Sequence, residues 1–178
     1  MKLRTTSLTA LTLTAALLAA GPALAKSAAK WLEITAPVQV GLNQAVEKAL
    51  AVTPGRAIEA EMKAGKKGAA PYYEVTVVSH SHDEIKLKVN AITGEAVVNK
   101  NKGKVAFRHD KHLDQSHITL MQAVDAAIVA VPGKPLEAEL GSDWGKPSYK
   151  VKLLQADRIV TEVKLNAETG AVTATKKD

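Results

Sequence analysis

The sequence predicts an α+β protein made of two repeats, each with one helix packed on a small antiparallel sheet. A stretch at residues 44–62, QAVEKALAVTPGRAIEAEM, returns at residues 122–140 as QAVDAAIVAVPGKPLEAEL. Each copy begins with the apolar spacing of an amphipathic helix and continues with the alternation of a half-buried strand. Two copies are too few for a solenoid, so the pattern favours two small domains or one pseudo-symmetric pair.

An export signal is predicted ahead of the first repeat. The chain begins MKLRTTSLTALTLTAALLAAGPALA, in which Lys2 and Arg4 precede an apolar run and an Ala-Leu-Ala cleavage site follows it. This order is typical of a secretory signal peptide covering residues 1–25. A membrane anchor is the alternative, but threonines interrupt the run, which is shorter than the roughly 20 apolar residues of a spanning helix. The mature chain is expected to be periplasmic or secreted, with no membrane span.

Composition argues against nucleic acid as a partner. The formal charge is +6, and removal of Lys2 and Arg4 with the signal lowers it by two. The remaining lysines are scattered among acidic residues, and two Trp, three Tyr and one Phe offer few stacking surfaces for single strands. Because the chain has no cysteine, no disulfide stabilises it and apolar burial must do so.

A helix is predicted at the start of each repeat. The second helix has Thr119 and Gln122 at the spacing of a capping box, whereas Gly41 stands at the equivalent cap of the first. Both helices are predicted to end at a Pro-Gly pair, at residues 54–55 and 132–133. The apolar stripes recur at three- and four-residue spacing and consist of Leu42, Ala45, Val46, Ala49 and Leu50, then Leu120, Ala123, Val124, Ala127 and Ile128.

Strands are predicted after each helix because apolar residues then alternate with polar ones. The first strand of each repeat places Ile58, Ala60 and Met62, or Leu136, Ala138 and Leu140, on one face. Further strands follow around Tyr73 and Tyr149, and turns at residues 90–94 and 166–170 precede a last short strand. The first repeat has two extra residues between Met62 and Tyr73, where insertion into a surface turn is tolerated.

The order of these motifs resembles the PepSY domain, and it does so twice. Each repeat has QAV, a helix, PG, an EAE strand, a Tyr-plus-Val strand and a strand that ends in N-A-x-T-G. The resemblance covers residues 38–99 and 116–174, with residues 100–115 as a linker. It implies a helix against an antiparallel sheet, and a role in restraining or assisting peptidases. The family often has Asp before the last turn, where this chain has Asn90 and Asn166.

Five histidines are the candidate metal ligands: His80, His82, His109, His112 and His117. They lie in SHSHDE and RHDKHLDQSH, between the strands of the first repeat and the start of the second, together with several carboxylates. Imidazole and carboxylate groups suit Zn, Cu or Ni, but the spacing matches no strict zinc motif. The alternative is a polar hairpin tip followed by a solvated linker. We therefore expect at most weak metal binding, and no cofactor on which the fold depends.

Catalytic candidates are weak in this sequence. The glutamates of the two EAE strands are Glu59, Glu61, Glu137 and Glu139, and alternation places them on the solvent face, where they favour solubility over acid–base chemistry. No serine stands in a nucleophile elbow, and the H-E-x-x-H motif is missing. The resemblance supplies no catalytic residue either. An enzyme is therefore not predicted.

Two tryptophans are the largest apolar side chains in the sequence, Trp31 and Trp144. Tryptophan is enriched at binding hot spots, so either side chain could anchor a partner. The more ordinary role is to cover the edge of a small core, and this role is expected for both.

The sequence thus favours a non-enzymatic periplasmic binding module that modulates or inhibits a peptidase or another envelope protein. Its partner would be a protein or an extended peptide, because a small open sheet exposes strand edges that can pair with one. The alternatives are an envelope metal-binding protein that uses the histidine-rich middle segment, and a hydrolase.

Overall fold

The structure is a computed structural model that describes residues 28–177. The predicted export signal at residues 1–25 lies outside the described residues. The helices are α1 (Ala28–Thr35), α2 (Leu42–Val52), α3 (Phe107–Asp114) and α4 (Leu120–Ala130). The strands are β1 (Gly55–Lys63), β2 (Tyr72–Ser79), β3 (Asp83–Asn90), β4 (Ala96–Lys104), β5 (Lys134–Asp143), β6 (Lys146–Leu154), β7 (Val160–Asn166) and β8 (Val172–Lys177).

All eight strands form one antiparallel sheet in the order β4-β3-β2-β1-β5-β6-β7-β8. The two repeats meet where β1 pairs with β5, and Ala60 lies opposite Ala138, its equivalent in the second repeat. A pseudo-two-fold axis therefore passes between these two alanines. The α+β class is confirmed, and of the two arrangements that the sequence left open the structure has the pseudo-symmetric pair.

The main core lies between the sheet and helices α1, α2 and α4. Both predicted apolar stripes face the sheet, and the two central alanines are fully buried beneath the helices. Thr119 accepts a hydrogen bond from the Gln122 backbone N–H at 3.2 Å, while the Gln122 side chain accepts one from Thr119 N at 2.8 Å. The predicted capping box is therefore confirmed. None of the helices within residues 28–177 is long and apolar enough to cross a membrane.

In each repeat a buried tyrosine of the sheet is hydrogen-bonded to the segment just before the helix. The Tyr73 hydroxyl donates to the Val40 carbonyl at 2.9 Å, and the Tyr149 hydroxyl donates to the Ile118 carbonyl at 3.0 Å. Both rings are buried, and burial raises the pKa of each hydroxyl above its ordinary value. The two hydroxyls therefore stay protonated and hold the chain just before α2 and α4.

Ile58 departs from the predicted face. The β1–β2 register shifts between Ala57 and Glu59, so a β-bulge interrupts the alternation there. Ile58 packs in a second apolar cluster with Val78 and Leu113, on the side of the sheet away from the main core. Its equivalent Leu136 remains in the main core although the β5–β6 register shifts at the same place, so the bulge alone does not determine which face the side chain takes.

Residues 100–115, predicted as a linker, form the end of β4 and helix α3. The α3 helix is anchored because Leu113 enters the second apolar cluster and the Arg56 guanidinium donates to the carbonyls of Leu113 at 2.6 Å and Ser116 at 2.9 Å. These partners are distant in sequence. Helix α1, which the sequence did not predict, adds Trp31 and Ile34 to the main core.

Candidate functional site

The face of the sheet opposite α2 and α4 carries the glutamates of the two EAE strands. Glu59 lies opposite Glu139 and Glu61 opposite Glu137 where the two repeats meet. All four side chains are half-buried, and such like-charged cross-strand neighbours repel one another. Lysines on neighbouring strands offset this repulsion, as at the 3.1 Å pair between Lys150 and Glu139. The four carboxylates are placed on this face as predicted, and they are ion-paired rather than held apart for acid–base chemistry.

Lys86 offsets the repulsion between glutamates in the first repeat. Its ammonium group contacts Glu74 and lies 3.8 Å from Glu59, which also accepts a hydrogen bond from Thr76 at 2.8 Å. Burial lowers the pKa of Lys86, but the Glu74 and Glu59 carboxylates raise it by more, so the pKa lies above its ordinary value. The Lys86 ammonium group therefore stays charged at neutral pH.

The histidines fall into three separate environments. His80 and His82 lie in the turn after β2, which ends at Ser79, and His82 Nδ1 is 3.0 Å from Asp110 Oδ1 on α3. His109 and His112 lie on α3, where His109 Nδ1 is 3.8 Å from Glu84 Oε2. His117 is exposed before α4.

A cavity of about 190 Å³ lies between the β2–β3 turn and α3 and is lined by two histidines and two aspartates. His112 on α3 is buried, and burial, followed by the charge of Arg108, lowers the pKa of its imidazole. Within residues 28–177 no group of three or more His, Asp or Glu side chains is arranged to hold a metal ion. The structure brings His82 to Asp110 across two segments, but it does not bring the five histidines together.

Weak metal binding by these histidines stays a prediction. Calorimetric titration of the protein with Zn, Cu and Ni is expected to show low affinity without fixed stoichiometry, because the imidazoles are dispersed over a turn and a helix. The melting temperature should be the same with and without chelator. A tight stoichiometric site, or a large loss of stability in chelator, would contradict this prediction.

The two edge strands differ in how well they could accept another strand. Strand β4 pairs with β3 through two register shifts, and bulges of this kind protect an edge from pairing. Strand β8 has one register shift next to its first residues, and its stretch from Ala174 to Lys177 pairs regularly with β7. Its side chains are exposed and mostly small. The edge of β8 is thus the more open of the two.

The tryptophans have opposite environments. Trp31 is buried in the main core, as expected for a residue that covers a core edge. Trp144 is 99% exposed at the tip of the β5–β6 hairpin, so the same expectation is wrong for it. The sequence signal that distinguishes them is the Trp-Gly pair, since Gly after residue 144 marks a two-residue turn.

Two helix-on-sheet repeats, fused through their central strands, define a class of small modules that present a charged sheet face and free strand edges. The family model for PepSY, the peptidase propeptide and YPEB domain, matches residues 39–97 and again residues 118–176. The chain therefore belongs to the PepSY family and contains two tandem PepSY domains. The resemblance noted in the sequence is confirmed.

Among solved structures, the chain is similar to the crystal structure of a "putative lipoprotein" from Clostridium difficile 630. The two share 19% sequence identity with a TM-score of 0.43, over 79% of this chain and 95% of that chain. No curated protein matches the sequence.

Proposed function

We propose that this protein is a non-enzymatic binding module of the cell envelope that pairs the outer edge of β8 with an extended segment of a peptidase or another envelope protein. The observation that carries this proposal is the regular, exposed pairing edge from Ala174 to Lys177 at the end of the eight-stranded sheet. An extended segment added to such an edge gains main-chain hydrogen bonds without rearrangement of the sheet. Membership of a peptidase-propeptide family supports a peptidase as the partner.

The backbone groups that would bind the partner can be assigned from the β7–β8 pairing. The Asn166 N–H donates to the Ala171 carbonyl at 2.9 Å, so Asn166 faces β8. Backbone groups alternate sides along a strand, so Lys164 also faces β8, and its partner Ala174 faces back toward β7. The N–H and C=O of Thr175 consequently point outward and are available to an added strand.

Charge favours an acidic segment as the partner. Lys176 and Lys177 lie at the end of β8, and both side chains are exposed. Basic groups along a pairing edge attract acidic residues and accelerate their encounter, an effect that weakens as salt is added. The expected ligand is therefore an extended chain with Asp or Glu at alternate positions.

A proline at position 175 tests whether the outer edge of β8 binds the partner. Proline lacks the N–H that would bond the partner, while the β7–β8 bonds made through Ala174 and Lys176 are kept. For an envelope peptidase that the unchanged protein inhibits, we expect Thr175→Pro to weaken inhibition at least about tenfold, which corresponds to a loss of roughly 1.4 kcal/mol. Inhibition constants of the chain from Lys26, with and without the substitution, provide the measurement.

Thr175→Val is the matched control, because it keeps the backbone N–H and should inhibit like the unchanged protein. Melting curves of both variants show whether the sheet is intact. If the unchanged protein neither inhibits nor binds a panel of envelope peptidases and their acidic segments, or if Thr175→Pro inhibits as well as Thr175→Val, the proposal is wrong.

A further inference from the structure

A cavity of about 340 Å³ lies at one end of the second repeat, apart from the outer edge of β8. This volume is within the range of about 300–1,000 Å³ that is usual for small-molecule sites. The residues that line it include Asp143, Trp144, Lys146, Ser148 and Asn166. The cavity thus combines one large aromatic ring with several small polar groups.

The position of Trp144 is costly for the fold. Trp144 and Gly145 have φ of 49° and 80°, so both lie in the left-handed region that a two-residue hairpin turn requires. Asn, Asp or Gly normally occupies the first of these positions, because a bulky side chain is strained there. The indole is also 99% exposed, so it gains no packing in return. Neither the turn nor the core explains a tryptophan at this position.

Ser148, one of the residues that line the cavity, has a buried hydroxyl without a partner in the part of the chain that the structure describes. The residue is 4% exposed, and its Oγ makes no hydrogen bond within residues 28–177. A buried hydroxyl without a partner costs free energy unless a ligand or water satisfies it. Asn166 Oδ1 accepts the backbone N–H groups of Glu168 and Thr169, and no bond from its amide NH₂ occurs in the described part of the chain. The Ser148 hydroxyl, which can donate and accept, and the Asn166 NH₂ group, which can donate, are therefore both without a protein partner among the described residues.

The first repeat fills the equivalent position. Tyr72 lies opposite Asn90 as Ser148 lies opposite Asn166, and Lys88 Nζ is 4.1 Å from the centre of the Tyr72 ring. Ser148 is much smaller than Tyr72, so its side chain leaves more space at this position of the second repeat.

We propose that this cavity binds a saccharide ring, with Trp144 as the stacking platform. A pyranose ring has a face of C–H groups that packs on the electron-rich face of an indole, and hydroxyls that both donate and accept. Those hydroxyls match Ser148 Oγ and the Asn166 amide. Asp143 lies 3.7 Å from Lys164 and is neutralised by it, and Lys146 is exposed and screened by water, so a neutral ligand suits the site.

Nitrogen-15 NMR of the two indole N–H groups tests the proposal with an internal control. Addition of chitotriose or maltotriose is expected to shift the Trp144 signal in a saturable manner and to leave that of buried Trp31 unchanged. Trp144→Asn removes the platform while giving the turn its preferred Asn-Gly pair. We expect this variant to melt at the same or a higher temperature, and calorimetric titration with the saccharide should show at least a tenfold loss of affinity.

Ser148→Tyr is the second variant, because it fills the cavity with the residue that the first repeat already accommodates. Since its Trp144 signal is retained, titration of that signal should show at least a tenfold loss of affinity. The proposal is overturned if no saccharide shifts the Trp144 signal, or if both variants bind as well as the unchanged protein. A shift caused by the tripeptide Ala-Phe-Ala and by neither saccharide would overturn it in favour of a peptide side chain as the ligand.

Discussion

Replacement of Tyr73 by alanine is expected to lower the free energy of unfolding by about 3–5 kcal/mol, and Tyr149→Ala is expected to cost the same. Both rings are 1% exposed or less and are surrounded by core side chains, so truncation leaves a cavity. It also leaves the carbonyl of Val40 or Ile118 without its hydroxyl partner. Urea denaturation followed by circular dichroism gives both values.

The continuous sheet determines whether the loss of stability affects one repeat or the whole protein. Because β1 pairs with β5 and the core runs across both repeats, each substitution should destabilise the whole protein in a single transition. Tyr73→Phe keeps the ring and should cost only about 0.5–1.5 kcal/mol. Val98→Ala, on the exposed edge strand β4, should change stability by less than about 0.5 kcal/mol. Two separate unfolding transitions, one shifted only by Tyr73→Ala and the other only by Tyr149→Ala, would contradict the single fused sheet.

Arg56→Met is expected to lower the free energy of unfolding by about 2–3 kcal/mol and to release α3 from the sheet. The guanidinium donates to the carbonyls of Leu113 and Ser116 at the end of α3, and charged hydrogen bonds of this kind contribute about 1.5–3 kcal/mol. Methionine has a similar apolar stem and no donor, so the loss reports the two bonds rather than the packing of the stem.

Hydrogen exchange locates this effect. The amides of Gln115 and Ser116, which bond carbonyls of α3, should exchange faster in Arg56→Met, while those of α4 should stay protected. Arg108→Met removes an exposed arginine from α3 itself and serves as the control. If Arg108→Met destabilises α3 as much as Arg56→Met does, the anchoring role assigned to Arg56 is wrong.

Fusion of the repeats concentrates like charges at the centre of the sheet. Two EAE segments with the same alternation place four glutamates together when β1 meets β5. Lysines from neighbouring strands offset the repulsion, as the 2.9 Å pair between Lys152 and Glu137 shows. The fold accepts this arrangement because alternation places Ala60 and Ala138 on the other side, where small side chains fit beneath the helices.

Local periodicity alone determined the elements of each repeat. The spacing of apolar residues predicted α2 and α4, Thr119 predicted a cap, and alternation predicted the strands around Tyr73 and Tyr149. These predictions succeeded because both periods arise from geometry within a few consecutive residues, which the sequence displays directly. The two-residue difference between the repeats likewise fell in the β1–β2 loop, where no ladder constrains chain length.

Only the tertiary structure decided the features that depend on distant partners. The β1–β5 pairing joins segments far apart in the chain, α3 is anchored by Arg56, and Ile58 packs against Val78 and Leu113 on the face opposite the predicted one. The separate environments of the histidines and the exposure of Trp144 follow from the same packing. Hydrogen-bonding groups and apolar area are satisfied across the whole molecule at once, so a local pattern specifies an element without specifying the surface on which that element packs.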